Sequence, residues 1–404
     1  MKTSTHPLAF TLRTPGFPLL WGATLCSQVG VGMQTVLLGW LVLSMTDSSS
    51  MVGLLFAMRS APNLLVGFVA GAMTDRVDRR LIMRLTTCGM VLVSWLIAWL
   101  WWMDVLSVWQ LLLCTGLFGL CQAFESTARQ AYTFDVVGAS AAVQGLAVLF
   151  LAQRLGGVLG SLLAGATLEW WGVGVSFLTM GLAYAGGAAA LWTLRQRGGA
   201  APHVQESMWH NVLAYGQELR NNRVMQSLML STAGAELLGF SHQVLLPILA
   251  RDVLHSGATG LGMLTAGRFL GGVLGSALLT ALRPVHGRGK LLLAILGLFG
   301  AGLTVLAFAP HFWFAVACVV VVNIMAAATD ILHMALLQHS VTNEQRGRAM
   351  GAWVVGIGTA PLGHLEMGYL AGLAGASLAL VLNGTALIVL AVTLALALPR
   401  LRRL

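Results

Sequence analysis

Four acidic side chains lie inside long apolar stretches of the sequence: Glu125, Glu236, Asp330 and Glu366. A charged side chain at the centre of a bilayer costs about 2.5–3.5 kcal/mol on insertion scales, so each of these residues is expected to have a partner or a function. A poorly solvated carboxylate also takes up a proton more readily than one in water. The four are therefore candidates for binding a proton or a substrate.

Glu236 is the most central of these acids. No basic residue lies one helical turn away from it, whereas Glu125 has Arg129 four residues later and fits a structural ion pair equally well. Asp330 and His333 lie three residues apart. They form either a second proton-binding unit or a simple packing or capping pair.

Basic side chains also occur within apolar stretches, namely Arg59, Arg154 and Arg268, with His242, His333 and His364 as weaker candidates for chemistry. Arg59 and Arg268 occupy matching places in two similar segments. They either brace the helices by binding backbone carbonyls or line a path for an anion.

The elements that must position these residues are transmembrane helices. Hydrophobic residues make up 57% of the 404-residue chain, charged residues only 9%, and the mean hydropathy is +0.81. A soluble domain carries about 25% charged residues. The apolar runs have about the 20 residues that cross a bilayer as a helix. Lipid satisfies no backbone polar group, which favours an all-α membrane protein.

We predict about twelve spans in two bundles of six. The N-terminal bundle, 1–194, has spans at 17–45, 51–73, 81–102, 109–132, 141–167 and 173–194. The C-terminal bundle, 224–404, has spans at 225–250, 260–282, 291–309, 312–337, 349–373 and 374–398. The polar stretch 195–223 is expected to be a cytoplasmic linker between them.

An internal repeat supports the division into halves. The segment from Gly53 to Arg59 resembles the segment from Gly262 to Arg268. A second pair of segments, beginning at Gln34 and His242, aligns in the same order. Parallel repeats of this kind are typical of transporters built from two related bundles.

The second alignment places Gln28 opposite Glu236 and Thr35 opposite Gln243. Gln28 and Thr35 lie seven residues apart on one span, as do Glu236 and Gln243 on another. This spacing puts both side chains of each span on one helix face. We expect these four side chains to line a central cavity.

The net charge of +9 indicates membrane topology rather than nucleic-acid binding. All but four of the 23 lysines and arginines fall on one side if the N-terminus is cytoplasmic, as the positive-inside rule requires. Both termini are then cytoplasmic. The first apolar run is too long for the core of a cleaved signal peptide and is expected to remain as the first helix.

No cofactor, metal or enzymatic chemistry is indicated. The five cysteines lie in apolar runs without a CxxC pair, and no GxxxxGK[ST] phosphate-binding loop occurs. An enzyme would need a cluster of His, Asp or Ser at one membrane face, and a receptor would need long loops or a soluble domain. Neither feature is present in the sequence.

A motif after the second predicted span resembles the GxxxDRxGRR signature of the major facilitator superfamily. It comprises Gly71, Asp75, Arg76, Arg79 and Arg80, with Asp78 where glycine is usual. Segments at 40–46, 127–131 and 337–348 resemble the bacterial exporter branch that includes enterobactin exporters and macrolide-efflux proteins. The resemblance covers nearly the whole chain.

The resemblance implies a conformational latch at the cytoplasmic side. Asp75 would bind the start of the eleventh helix near 346–349 and interact with Arg129, and a carboxylate is favoured at a helix N-terminus. The alternative is that these residues are only solvated loop charges. In the fifth helix, Gly157 stands where antiporters often carry proline, so this motif alone does not establish antiport; Arg154 matches a structural position.

The expected function is secondary transport by alternating access, in which a small amphiphilic drug or siderophore-like metabolite is exported, with protons as the expected counter-ion. The alternative is nutrient uptake by the same architecture; a non-transporting receptor or enzyme is a remote alternative. The partners expected are the substrate, protons and membrane lipid of a bacterial inner membrane. A monomer is the expected state.

Overall fold

The computed structural model describes residues 14–138, 140–196, 223–281, 287–339 and 356–397, together with residue 402. These residues form helices joined by short turns, with no strand among them. In chain order the α-helices are α1 Phe17–Thr46, α2 Ser49–Arg76, α3 Arg79–Trp102, α4 Val108–Val137, α5 Ala142–Thr193, α6 Arg223–Gly234, α7 Gly257–Ala281, α8 Arg288–Ala307, α9 Phe312–His339, α10 Ala360–Ala374 and α11 Ala376–Ala397. A segment at 235–253, which we call the irregular segment, continues α6.

Ten helices in the described ranges are long and apolar enough to cross a membrane. One of them, α5, has 52 residues, and at 1.5 Å per residue it would extend about 78 Å, more than twice the hydrocarbon thickness. It breaks at Gly172, whose φ of 78° and ψ of −176° are not helical. The helix therefore contains two predicted spans, divided between 167 and 173 as expected.

The nearly seamless boundary predicted near 373–376 is also present. Gly375 adopts φ 83°, a conformation that favours glycine, and it separates α10 from α11. The first residues of the predicted eleventh span, 349–355, lie outside the described residues.

Contacts divide the chain into two compact units. Unit 1 consists of Met1–Thr46, Ala61–His203 and Gly257–Ala266; unit 2 consists of Asp47–Ser60, Val204–Ser256 and Gly267–Leu404. The start of α2 thus belongs with the C-terminal elements, and the start of α7 with the N-terminal ones. The predicted division at a linker, 195–223, stays a prediction because 197–222 lie outside the described residues.

In unit 1, glycines bring α1 and α5 into close contact. A Cβ atom on Gly160 would lie 2.0 Å from the Val29 carbonyl oxygen, and one on Gly32 would lie 2.5 Å from the Gly157 oxygen. Small residues permit this approach, on which helix packing in lipid depends because no hydrophobic force acts between the helices. One end of this unit is filled by large buried side chains that include Phe17, Leu20, Tyr132, Leu149 and Leu191.

In unit 2, glycines likewise bring α8 and α11 into close contact. A Cβ atom on Gly300 would lie 2.4 Å from the Gly384 oxygen, and one on Gly384 would lie 2.6 Å from the Gly300 oxygen. A buried cluster including Met225, Leu292 and Leu332 joins α6, α8 and α9.

Gly160→Ala is expected to destabilise the protein because the new methyl group would overlap the Val29 backbone. Overpacking of this kind costs about 1–3 kcal/mol. The expected readout is a lower midpoint of thermal unfolding for the detergent-purified protein.

Gly22→Ala, in α1 of the same unit, is the matched control because a Cβ atom there meets nothing within 4 Å. In an open helical position alanine is favoured over glycine by about 0.5–1 kcal/mol. Equal midpoints for the two variants would contradict the close helix contact.

Candidate functional site

Unit 2 contains a group of buried polar side chains around the irregular segment. This segment has a π-helical turn at Ala235–Gly239, a 3₁₀ stretch at Phe240–Leu245 and a second π-helical turn at Leu249–Val253. The sequence predicted one uniform span here, and the helix is instead irregular at its centre. Single π-helical turns inside helices occur frequently at functional sites.

The local sequence explains the irregularity. Pro247 has no backbone N–H to donate to the preceding turn. Gly239 lacks a side chain where a Cβ atom would lie 2.5 Å from the Phe299 ring, so the ring of α8 approaches the backbone directly. Both residues weaken the regular α-helical ladder between them.

Glu236 lies in the first π-helical turn and is buried, with 8% of its surface exposed. It is close enough to Asp330 of α9 and Arg268 of α7 to interact electrostatically with both. Two acids and one guanidinium are thus brought together from three elements. Like charges at this range repel unless a cation or a bound proton compensates them.

His242 is held as a neutral ring. Its Nδ1 lies 2.7 Å from the Gly239 carbonyl oxygen and must donate to it, which leaves Nε2 to accept from the Asn323 amide at 3.3 Å. Asn323 uses its other N–H to bond the Val319 oxygen at 2.8 Å. The sequence marked His242 only as a weaker candidate and gave no sign of Asn323 as its partner.

His364 connects three elements. The Gln243 amide donates to its Nε2 at 2.7 Å, and its Nδ1 lies 3.2 Å from the Ser60 hydroxyl at the middle of α2. Gln243, predicted to line a cavity, is therefore bound to a histidine of α10. Arg59 and Arg268, the pair related by the repeat, both lie within electrostatic range of His364.

His333 is bonded to α6 rather than paired with Asp330. Its Nε2 lies 2.7 Å from the Ser231 hydroxyl, which itself donates to the Leu228 oxygen at 2.9 Å. Nε2 therefore donates to Ser231, and the Nδ1 lone pair has no hydrogen-bond partner among the described residues. On α10, Glu366 accepts a hydrogen bond of 3.0 Å from Asn383 of α11.

Unit 1 has an uncharged counterpart of the His242 site. The Gln34 side-chain oxygen accepts from the Gln122 amide at 2.7 Å and from the Tyr184 hydroxyl at 3.0 Å. In the repeat Gln34 matches His242, so each half fixes one polar residue of its first helix to another helix.

The two cavity candidates of α1 have local contacts. Gln28 packs at the α1–α5 crossing, where its Cβ lies 2.7 Å from the Cβ position of Gly156. The Thr35 hydroxyl donates to the Val31 oxygen at 3.0 Å within its own helix. Whether either side chain contacts a substrate stays a prediction.

Arginines of the motif after α2 bind unit 1. Arg79 pairs with Asp135 of α4 at 2.7 Å. Arg80 pairs with Asp78 at 2.8 Å and also donates to the Arg195 oxygen at 2.9 Å, beyond the end of α5. These bonds give both arginines a structural role at helix ends, where free carbonyls accept from basic side chains.

Only some residues of the proposed latch belong to the described part of the structure. Gly71 and Arg76 lie on the last turns of α2. The Asp75 side chain and residues 346–349 lie outside the described part of the structure, so their contact stays a prediction.

Arg129, the other member of the proposed latch, forms a buried ion pair. Its Nη1 donates to both carboxylate oxygens of Glu125, at 2.7 and 2.8 Å, and the two side chains are only 5% and 7% exposed. The ion-pair interpretation of Glu125 is thereby supported by geometry.

The chain is similar to known proteins over nearly its whole length. The family model for transmembrane secretion effectors matches residues 5–404. The enterobactin exporter EntS of Citrobacter koseri is 28% identical over 402 residues, which covers 96% of this chain and 93% of that protein. EntS of Escherichia coli O1:K1 has the same identity and coverage.

Solved structures share the fold at lower identity. A bacterial homologue of the human lysosomal transporter Spinster, inward-facing and unoccupied, has a TM-score of 0.69 and 16% identity, covering 99% of this chain and 98% of that one. The nucleoside transporter NupG has a TM-score of 0.74 and 13% identity, covering 95% and 98%. A POT family transporter in complex with a thioalcohol-conjugated peptide reaches 0.76 at 10% identity, covering 98% and 100%.

Glu125→Gln is expected to destabilise the protein strongly, because it leaves the buried Arg129 charge without its counter-ion. Removing one partner of a buried pair costs about 3–5 kcal/mol. The midpoint of thermal unfolding should fall sharply, whereas Asp104→Asn, in an exposed turn, should leave it unchanged. A Glu125→Gln protein as stable as this control would show that the pair is dispensable for folding.

Proposed function

The chain belongs to the transmembrane secretion effector family of major facilitator transporters, and on that premise we propose that it exports a small amphiphilic compound in exchange for protons. Export would proceed by alternating access around polar residues near the middle of the spans, the usual site location in repeated transporters. The membrane would be the bacterial inner membrane, with both termini cytoplasmic.

The observation that carries the proton exchange is the burial of Glu236 in a π-helical turn beside Asp330 and Arg268. A proton on Glu236 would remove the repulsion between the two acids, whereas its loss would leave Arg268 as the compensating charge. The group could therefore hold one proton on Glu236 and release it, as an exchanging transporter requires. At the matching position unit 1 has Gln28, whose amide cannot exchange a proton.

A siderophore-like or drug-like amphiphile is the substrate class we favour. The relatives are named as exporters of enterobactin, at 28% identity over 402 residues. Arg59 and Arg268, both near His364, would favour an anionic group on the substrate. A hydrophobic drug is the second candidate, suited to the apolar walls of the spans.

Uptake of a nutrient is the alternative direction. The solved neighbours include a nucleoside transporter and POT family transporters, and their likeness extends to the fold alone. Depletion of a labelled compound from expressing cells supports export, and accumulation supports uptake.

Glu236→Gln is expected to abolish export driven by a pH gradient in proteoliposomes, because the amide cannot exchange a proton. Exchange of labelled for unlabelled substrate without a gradient should persist, since binding and the conformational change remain. Glu169→Gln, an exposed site on α5, is the matched control and should behave as the parent.

Two outcomes would contradict this role. Gradient-driven export by Glu236→Gln at the parent rate would remove Glu236 from proton exchange. Parent export that is unchanged when an ionophore collapses the pH gradient would remove proton coupling altogether.

Arg268→Gln is expected to weaken export of an anionic amphiphile more than that of an uncharged dye of similar size. Arg268 supplies one positive charge to the buried polar side chains around the irregular segment, and only the anionic compound can pair with that charge. The measurement is the half-saturating concentration of each compound, with Arg268→Lys retaining part of the preference. Equal losses for both compounds would indicate a bracing role instead.

A further inference from the structure

The start of α2 crosses α10 at a very close contact within unit 2. A Cβ atom on Gly53 would lie 2.6 Å from the His364 carbonyl oxygen and 2.9 Å from the Gly368 Cα. The Phe56 ring lies 5.9 Å from the His364 ring, tilted by 59°. His364, only 3% exposed, thus sits in the crossing itself.

The hydrogen bonds around His364 define its protonation. The Gln243 amide nitrogen only donates, so Nε2 must accept through its lone pair. The Ser60 hydroxyl donates to the Phe56 oxygen at 2.9 Å and therefore accepts from Nδ1–H. The ring is neutral, and both of its nitrogens hold partners from other elements.

The charges facing the ring also favour its neutral form. They are Arg59 on α2 and Arg268 on α7, whereas His242 on the irregular segment also faces the ring but is neutral. Next to α10, the Glu236 backbone oxygen lies 3.0 Å from the Cβ position of Gly363, and Glu366 on α10 is bonded to Asn383. A third positive charge beside two guanidinium groups in a buried site is unfavourable.

The equivalent crossing in unit 1 lacks this feature. Gly262, the repeat partner of Gly53, packs on α5, where its Cβ position lies 2.6 Å from the Ser161 oxygen and 3.0 Å from the Gly165 Cα. In place of His364 stands Ser161, whose hydroxyl donates to the Gly157 oxygen of its own helix at 2.7 Å. One of two similar crossings therefore carries a titratable group.

We propose that His364 is a proton-binding site that controls the α2–α10 crossing. A proton can add only at Nε2, where the resulting N–H would face the N–H of Gln243 as that amide now stands, so this bond would be lost. The charged ring would also be buried in the crossing, 3% exposed and beside Arg59 of α2, and opening of the crossing would let water solvate it. Protonation is therefore coupled to separation of α2 from α10, and the closed crossing is stable at neutral pH and lost as the pH falls. The inference rests on the proposed alternation of access, but it needs neither the substrate nor Glu236.

Disulfide formation across the crossing tests the proposal without transport. A Cβ atom on Gly372 would lie 3.1 Å from the Ser50 hydroxyl oxygen, which suits a Ser50→Cys, Gly372→Cys pair in a chain whose five native cysteines are replaced by alanine. The rate of oxidant-induced cross-linking in membranes is measured from about pH 8 to about pH 5.5, the range in which histidine titrates. Dividing by the rate in His364→Gln, which carries the same thiols, cancels the pH dependence of the thiol chemistry.

The normalised rate is expected to fall by about threefold or more towards acid, as a single titrating site that shifts a two-state equilibrium would produce. Gln243→Glu should reduce or reverse this fall, because a carboxylate accepts from the protonated ring. His311→Gln, which removes an exposed histidine beyond α8, should retain the parent profile.

Identical pH profiles for the parent and His364→Gln would overturn the proposal, as would an unchanged fall in Gln243→Glu. If His364→Gln fails to fold, the rates of the parent and Gln243→Glu, which carry the same thiols, are compared directly at each pH, and an equal fall in both overturns the proposal. Proton-driven export with a pH-independent crossing would refute the site at His364 while leaving the proposed function intact. A pH-dependent crossing without proton-driven export would support the site at His364 and refute the proposed proton exchange.

Discussion

Polar side chains on membrane-spanning helices must find their partners within the protein, because the hydrocarbon offers none. Most of the tertiary contacts described above follow from this constraint. Arg129 is neutralised by Glu125, Gln34 holds Gln122 and Tyr184, and His364 joins Ser60 to Gln243. The Glu125–Arg129 pair lies within α4, whereas the bonds of Gln34 and His364 fix one helix against another. The same groups that need partners therefore also contribute to the packing.

Glycine makes these bonds geometrically possible. The crossings at Gly53, Gly160 and Gly262 bring backbones together at distances that no side chain would permit. Short polar side chains can then reach across from one helix to the next. Close packing and polar pairing are thus two parts of one arrangement, and a methyl group added at the crossing would disturb both.

The repeat produces similar frames with different chemistry. Gln34 and His242 occupy matching positions, and each is bonded to a second helix, but only the histidine can titrate. Ser161 and His364 differ in the same way at the two glycine crossings. At both matched positions the titratable side chain therefore lies in unit 2.

The sequence by itself determined the membrane spans, the superfamily and the isolated acids, because hydropathy, the motif around Gly71 and buried charge are local properties. It indicated the ion pair of Glu125, since four residues make one helical turn. It did not reveal the π-helical turn at Glu236 or the network of His364. Those depend on residues such as Ser60 and Gln243, which are far apart in the chain and become neighbours only when the helices pack. Hydrogen-bond partners and protonation were therefore decided by the tertiary structure.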